Sequence, residues 1–191
     1  MKDVITEKVV GNFIIRTFYD ECSESPREWD NLGTIICFHK RYNLGDKHSY
    51  NHNDYNDWLE MKKDIIKNEN VGVILPLYLY DHGGITISTS PFSCQWDSGQ
   101  IGWIFVTKKK ILEECGGKGK IVTKKLKERV TEYLENEVQT YDQYLQGEVY
   151  GVRVMEKSTC DKGHTHENEI HSCYGFYSEE DAIKDGMCYI D

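Results

Sequence analysis

The sequence predicts an α+β fold: an antiparallel sheet of about five to six strands, with one long amphipathic helix and two shorter helices. Three observations support this class. Short runs rich in β-branched and aromatic residues follow one another, one long segment keeps a helical rhythm, and strands and helices do not alternate regularly. A chain of 191 residues is long enough to bury one core of ordinary size.

Six segments have strand character, namely residues 9–19, 34–39, 71–80, 85–89, 100–107 and 148–155. Pro76 interrupts the third segment and removes a donor from the ladder, which indicates a sheet edge or a bulge. The tetrapeptide Asp81-His82-Gly83-Gly84 then separates the third and fourth segments. Paired glycines between two strands predict a hairpin.

The long helix is predicted from apolar residues that recur every three or four positions between Leu126 and Leu145. A shorter helix is expected over residues 54–68. A final short helix is expected after Ser178, which precedes three acidic residues that suit the first turn of a helix. Strand character ends near residue 156. We therefore expect an α+β core domain at residues 1–156 and a Cys/His-rich C-terminal tail at residues 157–191, packed on the core or appended to it.

The formal charge of −9 opposes nonspecific attraction to nucleic acid and to anionic membranes. No apolar run is long enough for a membrane-spanning helix, and the first residues lack the pattern of a signal peptide, so a cytoplasmic location in a bacterial host is expected. Seven cysteines at irregular spacing do not indicate a disulfide framework.

Several motifs of the chain are long enough to be specific: SPREWDNLGT at 25–34, HKRYNLGD at 39–46, LPLYLYDHGG at 75–84, FSCQWDSGQIG at 92–102 and YDQYLQG at 141–147. They resemble hypothetical proteins of bacteriophages and other mobile elements. The resemblance implies a small accessory protein that disarms a host defence system, in the manner of anti-CRISPR proteins. It implies no catalytic residues and no cofactor.

An acidic and aromatic loop is the expected partner-binding surface; its residues are Asp20, Glu21, Glu24, Arg27, Glu28, Trp29 and Asp30. Arginine and tryptophan concentrate binding energy in protein interfaces when they are exposed. The alternative is that Trp29 packs on the sheet and Arg27 pairs with a neighbouring carboxylate. Oxygen ligands in this loop would also suit Ca²⁺ or Mg²⁺, although no EF-hand pattern is present.

Cys94, His82 and Asp97 form a second candidate site, because a thiol, an imidazole and a carboxylate are the nucleophile, base and orienting group of cysteine hydrolases. Cys94 is not followed by a helix that would activate it. We favour a structural loop in which Trp96 packs and Asp97 caps the turn.

The tail concentrates five potential zinc ligands: Cys160, His164, His166, His171 and Cys173. Their spacing lacks the paired C-x₂-C or H-x₃-H pattern of zinc motifs. The expectation is a polar exposed segment and no cofactor, with zinc as the alternative.

Eight lysines and two glutamates make residues 107–127 a basic stripe. Nucleic acid is the alternative partner for this stripe, through Lys108, Lys109, Lys110, Lys124 and Lys125, but charge runs usually form a solvated surface. The sequence has no phosphate-binding loop, H-E-x-x-H motif or dinucleotide fingerprint. The function expected is therefore inhibition of a host defence protein by stoichiometric binding, with a cysteine hydrolase or a nucleic-acid binder as the alternatives.

Overall fold

The computed structural model describes residues 3–94, 96–116 and 121–190. The strands are β1 (Glu7–Val10), β2 (Phe13–Tyr19), β3 (Thr34–Cys37), β4 (Val71–Asp81), β5 (Ile85–Ser88), β6 (Ser98–Thr107), β7 (Tyr150–Thr159) and β8 (Thr165–Phe176). The helices are α1 (Trp58–Asn68), α2 (Lys108–Glu114), α3 (Lys124–Gln146) and α4 (Glu179–Ile190), with short 3₁₀ helices at Pro26–Glu28 and His52–Asp54.

The chain divides into two compact units: residues 1–25 with 143–191, and residues 26–142. The first unit is a four-stranded antiparallel sheet in the order β1-β2-β7-β8. Helix α4 packs on one face of this sheet, where Ala182 lies in a cluster with Ile15, Val152 and Val154. Gly186 permits the close approach, since a Cβ there would lie 3.0 Å from side-chain atoms of both Ile15 and Val152.

The C-terminal residues differ from the expected tail. Residues 157–176 complete β7 and form β8, so the end of the chain belongs to the first unit and is not a separate appendage. Strand β8 is mostly exposed because it lies at the edge of the sheet, which explains why its residues lack the apolar alternation of a half-buried strand.

The second unit contains the sheet β3-β6-β4-β5, again antiparallel. Helix α1 covers one face, where Met61 and Ile65 are buried in a cluster with Ile36, Trp103 and Phe105. Asp57 caps this helix by accepting a hydrogen bond from the amide of Glu60.

Helix α3 packs against the sheet of the second unit near Gly33 and Ile104. A Cβ at Gly33 would lie 2.6 Å from Leu134 Cδ2 and 2.8 Å from Ile104 Cδ1, so the helix and the sheet are in close contact there. The hydroxyl of Tyr141 accepts a hydrogen bond from the amide of Gly45 at 3.1 Å. The loop around Gly45 is thereby fixed to the helix.

The α+β class with antiparallel sheets is confirmed, but the described residues form two sheets of four strands instead of one sheet of five or six. Helix α2 comes in addition to the three expected helices. The prediction for Pro76 is confirmed: β5 pairs with β4 only from Tyr78 onward, and a register shift follows Leu77. No helix in the described part of the chain is long and apolar enough to cross a membrane.

Candidate functional sites

The first half of the acidic loop belongs to the first unit. The side chain of Asp20 accepts a hydrogen bond from the amide of Cys22 at 3.3 Å, which makes Asp20 a turn-forming residue. Glu21 and Glu24 are exposed. Both carboxylates are therefore accessible to a partner.

Arg27 is not the exposed anchor expected from the sequence. Its side chain is only 6% exposed and forms an ion pair with Asp46 at 2.6 Å. It also donates a hydrogen bond to the carbonyl oxygen of Gly33 at 2.8 Å. The alternative, in which Arg27 pairs with a carboxylate, is the arrangement found, and Arg27 holds the loop in place instead of contacting a partner.

Glu137 of α3 fixes the same loop from another side. Its carboxylate accepts hydrogen bonds from the amides of Leu32 at 2.6 Å and Gly33 at 3.0 Å, and it lies 3.4 Å from an Arg27 nitrogen. Burial raises the pKa of Glu137, while these hydrogen bonds and the Arg27 charge act in the opposite direction. The carboxylate is used for structure and is not free for catalysis.

Trp29 is presented at the surface by this fixed loop. Its side chain is 48% exposed, and the side-chain amide of Asn31 donates to the carbonyl oxygens of Pro26 at 2.7 Å and Trp29 at 2.9 Å. Trp29 and Tyr133, which is 45% exposed, border a cavity of about 350 Å³. Asp30 lines the same cavity. We call this surface the Trp29 groove.

The structure brings Cys94, His82 and Asp97 together, but in an order that differs from a hydrolase. Asp97 Oδ2 lies 3.8 Å from Cys94 Sγ and 3.3 Å from His82 Nδ1, so the carboxylate is the shared neighbour of the other two groups. In a cysteine hydrolase the imidazole must take the thiol proton. Within the described part of the chain, the group in contact with the thiol is the Asp97 carboxylate and not an imidazole.

Trp96 lies in the loop that follows Cys94 and is 96% exposed. The expectation that it packs in a structural loop is wrong. Tyr80, by contrast, does pack with two neighbours, at 5.8 Å from the ring of Phe92 and 6.0 Å from that of His82.

The basic stripe is partly neutralised by acidic neighbours on the helices. Lys109 pairs with Glu113 at 3.9 Å, and Lys124 with Glu128 at 3.9 Å. Lys110 also pairs with Glu114 at 3.7 Å, and Lys108 and Lys125 are exposed. Lys118 and Lys120, in the middle of the stripe, lie outside the described residues.

The five Cys and His candidates of the tail are spread along the β7–β8 hairpin. The amide of Cys160 donates to the carbonyl oxygen of His164 in the turn, at 3.0 Å. His166 pairs with Ser158 in the ladder, whereas His171 lies further along β8 and its imidazole contacts Asp185 at 2.8 Å. Cys173 follows two residues later. Within the described ranges, no three His, Cys, Asp or Glu side chains are grouped as a metal site.

One cavity was not anticipated from the sequence. It has a volume of about 620 Å³, lies at the end of β3, and is lined mainly by residues 37–48 with His52 and Trp58. Three of the seven histidines of the chain fall within residues 39–52, beside aromatic residues. This local concentration of histidine and aromatic residues is the sequence signal that could have predicted the cavity.

Comparison of the chain with protein-family models, with curated proteins and with solved structures finds no match.

Proposed function

We propose that this chain is an accessory protein of a phage or mobile element, and that it inhibits a host defence protein in the bacterial cytoplasm by forming a stoichiometric complex. The observation that carries the proposal is the Trp29 groove, in which an exposed tryptophan is held by a rigid loop beside an exposed tyrosine. The resemblance of the 25–34 and 75–102 motifs to phage proteins supports the same assignment.

The way in which Trp29 is held favours binding. The Arg27–Asp46 ion pair and the two Asn31 hydrogen bonds fix the backbone on both sides of the tryptophan. A loop whose backbone is fixed before association loses less conformational entropy when the complex forms. Large aromatic side chains in such positions provide most of the binding energy of many interfaces.

The charge of this surface points to a basic partner. Glu28 and Asp30 flank Trp29 and are exposed, and the protein as a whole has a formal charge of −9. Complementary charges increase the association rate and are screened by salt. We therefore expect slower association at higher ionic strength.

The arrangement at Cys94 favours binding over hydrolysis as the mode of action. The thiol of Cys94 and the imidazole of His82 both contact the carboxylate of Asp97, and among the described residues no imidazole contacts the thiol to remove its proton. The variant Cys94→Ala should therefore keep the biological effect.

The experiment measures phage plating on a host that carries a plasmid-borne defence system, with and without this protein. A panel of such systems identifies the one that is inhibited. Its purified components are then mixed with the protein and followed by size-exclusion chromatography and intact mass. We expect a stable complex of fixed stoichiometry with an unmodified target. Trp29→Ala should weaken it by about 30-fold, the usual effect of removing a central aromatic anchor.

Trp96→Ala is the matched control, because Trp96 is an exposed tryptophan that does not line the groove. It should leave both plating and affinity unchanged. A target that is chemically altered by substoichiometric amounts of the protein, with activity lost in Cys94→Ala, would overturn the proposal in favour of an enzyme. Equal affinity of Trp29→Ala and the parent protein would overturn the assignment of the groove.

A further inference from the structure

The 620 Å³ cavity at the end of β3 has walls made of ring side chains. The ring of Phe38 lies 5.0 Å from that of His48 and 6.2 Å from that of Trp58. His52 contacts Trp58 edge-on at 4.7 Å. Pockets of this volume commonly bind small molecules, and mainly aromatic walls favour a ligand with a flat ring.

Tyr42 forms a firmly supported platform at this cavity. Its ring stacks on His39 with centroids 5.1 Å apart, and it is 43% exposed. His39 Nδ1 accepts the amide protons of Arg41 at 3.3 Å and Tyr42 at 3.2 Å, so a neutral ring carries its proton on Nε2, the atom 3.8 Å from Asp81. The two amide hydrogen bonds orient the imidazole, and the tyrosine ring stacks on it. The Arg41 guanidinium, which is paired with Asp81, lies 5.4 Å from the centroid of the Tyr42 ring.

The cavity lining is locally basic although the protein is acidic. Lys40 and Lys47 line it, both are exposed, and neither has an ion-pair partner among the described residues. The carboxylate that shares the lining, Asp46, is occupied by Arg27 and by the amide of Ile35 at 2.7 Å. Two uncompensated lysines beside stacked rings suit a ligand that has both an aromatic ring and an anionic group.

The thiol of Cys37, which lines the cavity, is not activated as a nucleophile. Burial raises the pKa of Cys37 to about 12, so it stays protonated at neutral pH. His48 Nε2 lies 3.3 Å from the carbonyl oxygen of Cys37 and is in position to donate to it. These contacts favour a binding site and not a reaction centre.

We propose that this cavity binds a free nucleotide, whose base stacks on Tyr42 and whose phosphate contacts Lys40 and Lys47. The cavity and the Trp29 groove share no lining residue, so substitutions in the lining of one can be tested separately from the other.

Isothermal titration calorimetry on the full chain tests the proposal, with AMP, GMP, CMP and UMP as separate probes. The matching nucleosides, inorganic phosphate and a six-nucleotide single strand are the comparison arms. We expect saturable binding of at least one mononucleotide at one site per chain, and much weaker binding of its nucleoside and of phosphate. Tyr42→Ala, and Lys40→Ala with Lys47→Ala, should each reduce the affinity by about tenfold or more.

Two control variants are matched in exposure and chemistry. Tyr189→Ala removes a tyrosine of similar exposure that also stacks on a histidine, His171, and Lys63→Ala with Lys67→Ala removes two exposed lysines of α1 outside the lining. Both should bind the nucleotide as the parent protein does. If Tyr42→Ala fails to fold, the Lys40 and Lys47 variant still decides the outcome, since both lysines are at the surface.

Three results would overturn the proposal. One is the absence of binding by all four mononucleotides at about 1 mM, the weak end of specific affinities. Another is binding that neither the tyrosine nor the lysine variant weakens. The third is tight binding of the six-nucleotide strand without binding of mononucleotides, which would assign the cavity to single-stranded nucleic acid.

Discussion

Arg27 donates two parallel hydrogen bonds to Asp46, from Nε to Oδ1 at 2.9 Å and from Nη2 to Oδ2 at 2.6 Å. The pair connects the 3₁₀ helix at Pro26–Glu28 to the loop that follows β3. Because Asp46 also accepts the amide of Ile35, the same carboxylate fixes the start of β3. Both proposed binding surfaces adjoin this pair, the Trp29 groove through the loop after Arg27 and the nucleotide cavity through Asp46.

Asp46→Ala should destabilise the protein by about 3 kcal/mol, because it leaves a buried guanidinium without its main counter-charge. Arg27→Lys should not preserve the wild-type stability, since an ammonium cannot form the two parallel bonds. Urea unfolding followed by circular dichroism measures both effects. Glu113→Ala is the control, since the exposed Lys109–Glu113 pair should contribute less than about 0.5 kcal/mol. Similar losses in Asp46→Ala and Glu113→Ala would contradict this role of the pair.

Replacing two glycines of β6 with alanine should have different effects on stability. A Cβ at Gly102 would overlap the carbonyl oxygen of Ile36 and lie 3.0 Å from the Cα of Cys37, so Gly102→Ala should cost about 3 kcal/mol or more by separating β6 from β3. A Cβ at Gly99 has nothing within 4 Å, and Gly99→Ala should be neutral or slightly stabilising. Thermal unfolding of the two variants measures the difference. Equal melting temperatures would show that the sheet yields at Gly102.

Cys37 should be inert in the native protein. Its pKa is raised to about 12 by burial, whereas Cys22 and Cys188 are exposed. Alkylation with iodoacetamide at pH 8, mapped by mass spectrometry, should modify the two exposed thiols first and Cys37 only on unfolding. Rapid modification of Cys37 in the folded protein would contradict its burial.

The raised pKa of Cys37 predicts that the protein becomes less stable at alkaline pH. A folded-state pKa above the unfolded value of about 9 means that the unfolded chain releases the proton first, so the free energy of unfolding falls as pH rises from about 9 towards about 12. Cys37→Ala should lack this contribution. The measurement is the difference between the two proteins in urea unfolding at pH 8 and pH 10.

The protein should purify without zinc. The candidate ligands His166 and Cys173 occupy one extended strand and are more than about 20 Å apart, beyond the reach of one tetrahedral site. Elemental analysis of untagged protein, together with melting curves in a chelator, tests this expectation. About one zinc per chain, lost in Cys160→Ser with Cys173→Ser, would show the expectation to be wrong.

The regular helices and strands were predictable where buried apolar side chains recur with the period of the helix or strand. The apolar rhythm from Leu126 to Leu145 corresponds to α3, and Ser178 precedes α4 as expected. Strand β8 was missed because its polar residues are exposed at a sheet edge, where no apolar face is required. Helix α2 was missed because it is short, Lys108 and Lys109 are exposed, and only Ile111 is buried.

The sites were less predictable because they depend on contacts between distant residues. The sequence placed Arg27 and Trp29 in one exposed loop, but Asp46 and Glu137 bury the first while the second remains accessible. The three members of the Cys94 group do lie together, but their tertiary arrangement, in which Asp97 is the shared neighbour, is not encoded in their spacing along the chain. The 620 Å³ cavity was missed because its rings come from separate places in the chain: the loop after β3, the 3₁₀ helix at His52–Asp54 and the start of α1.

The pairing of β2 with β7 imposes an order of events during synthesis. These strands bring Phe13 opposite Glu156, so the first unit requires segments from both ends of the sequence. Residues 26–142 form the second unit from one continuous segment, which can fold while the ribosome is still producing the rest. Until β7 emerges, β2 has only the short β1 as a partner, so its apolar side chains stay uncovered until residues 150–159 have been synthesised.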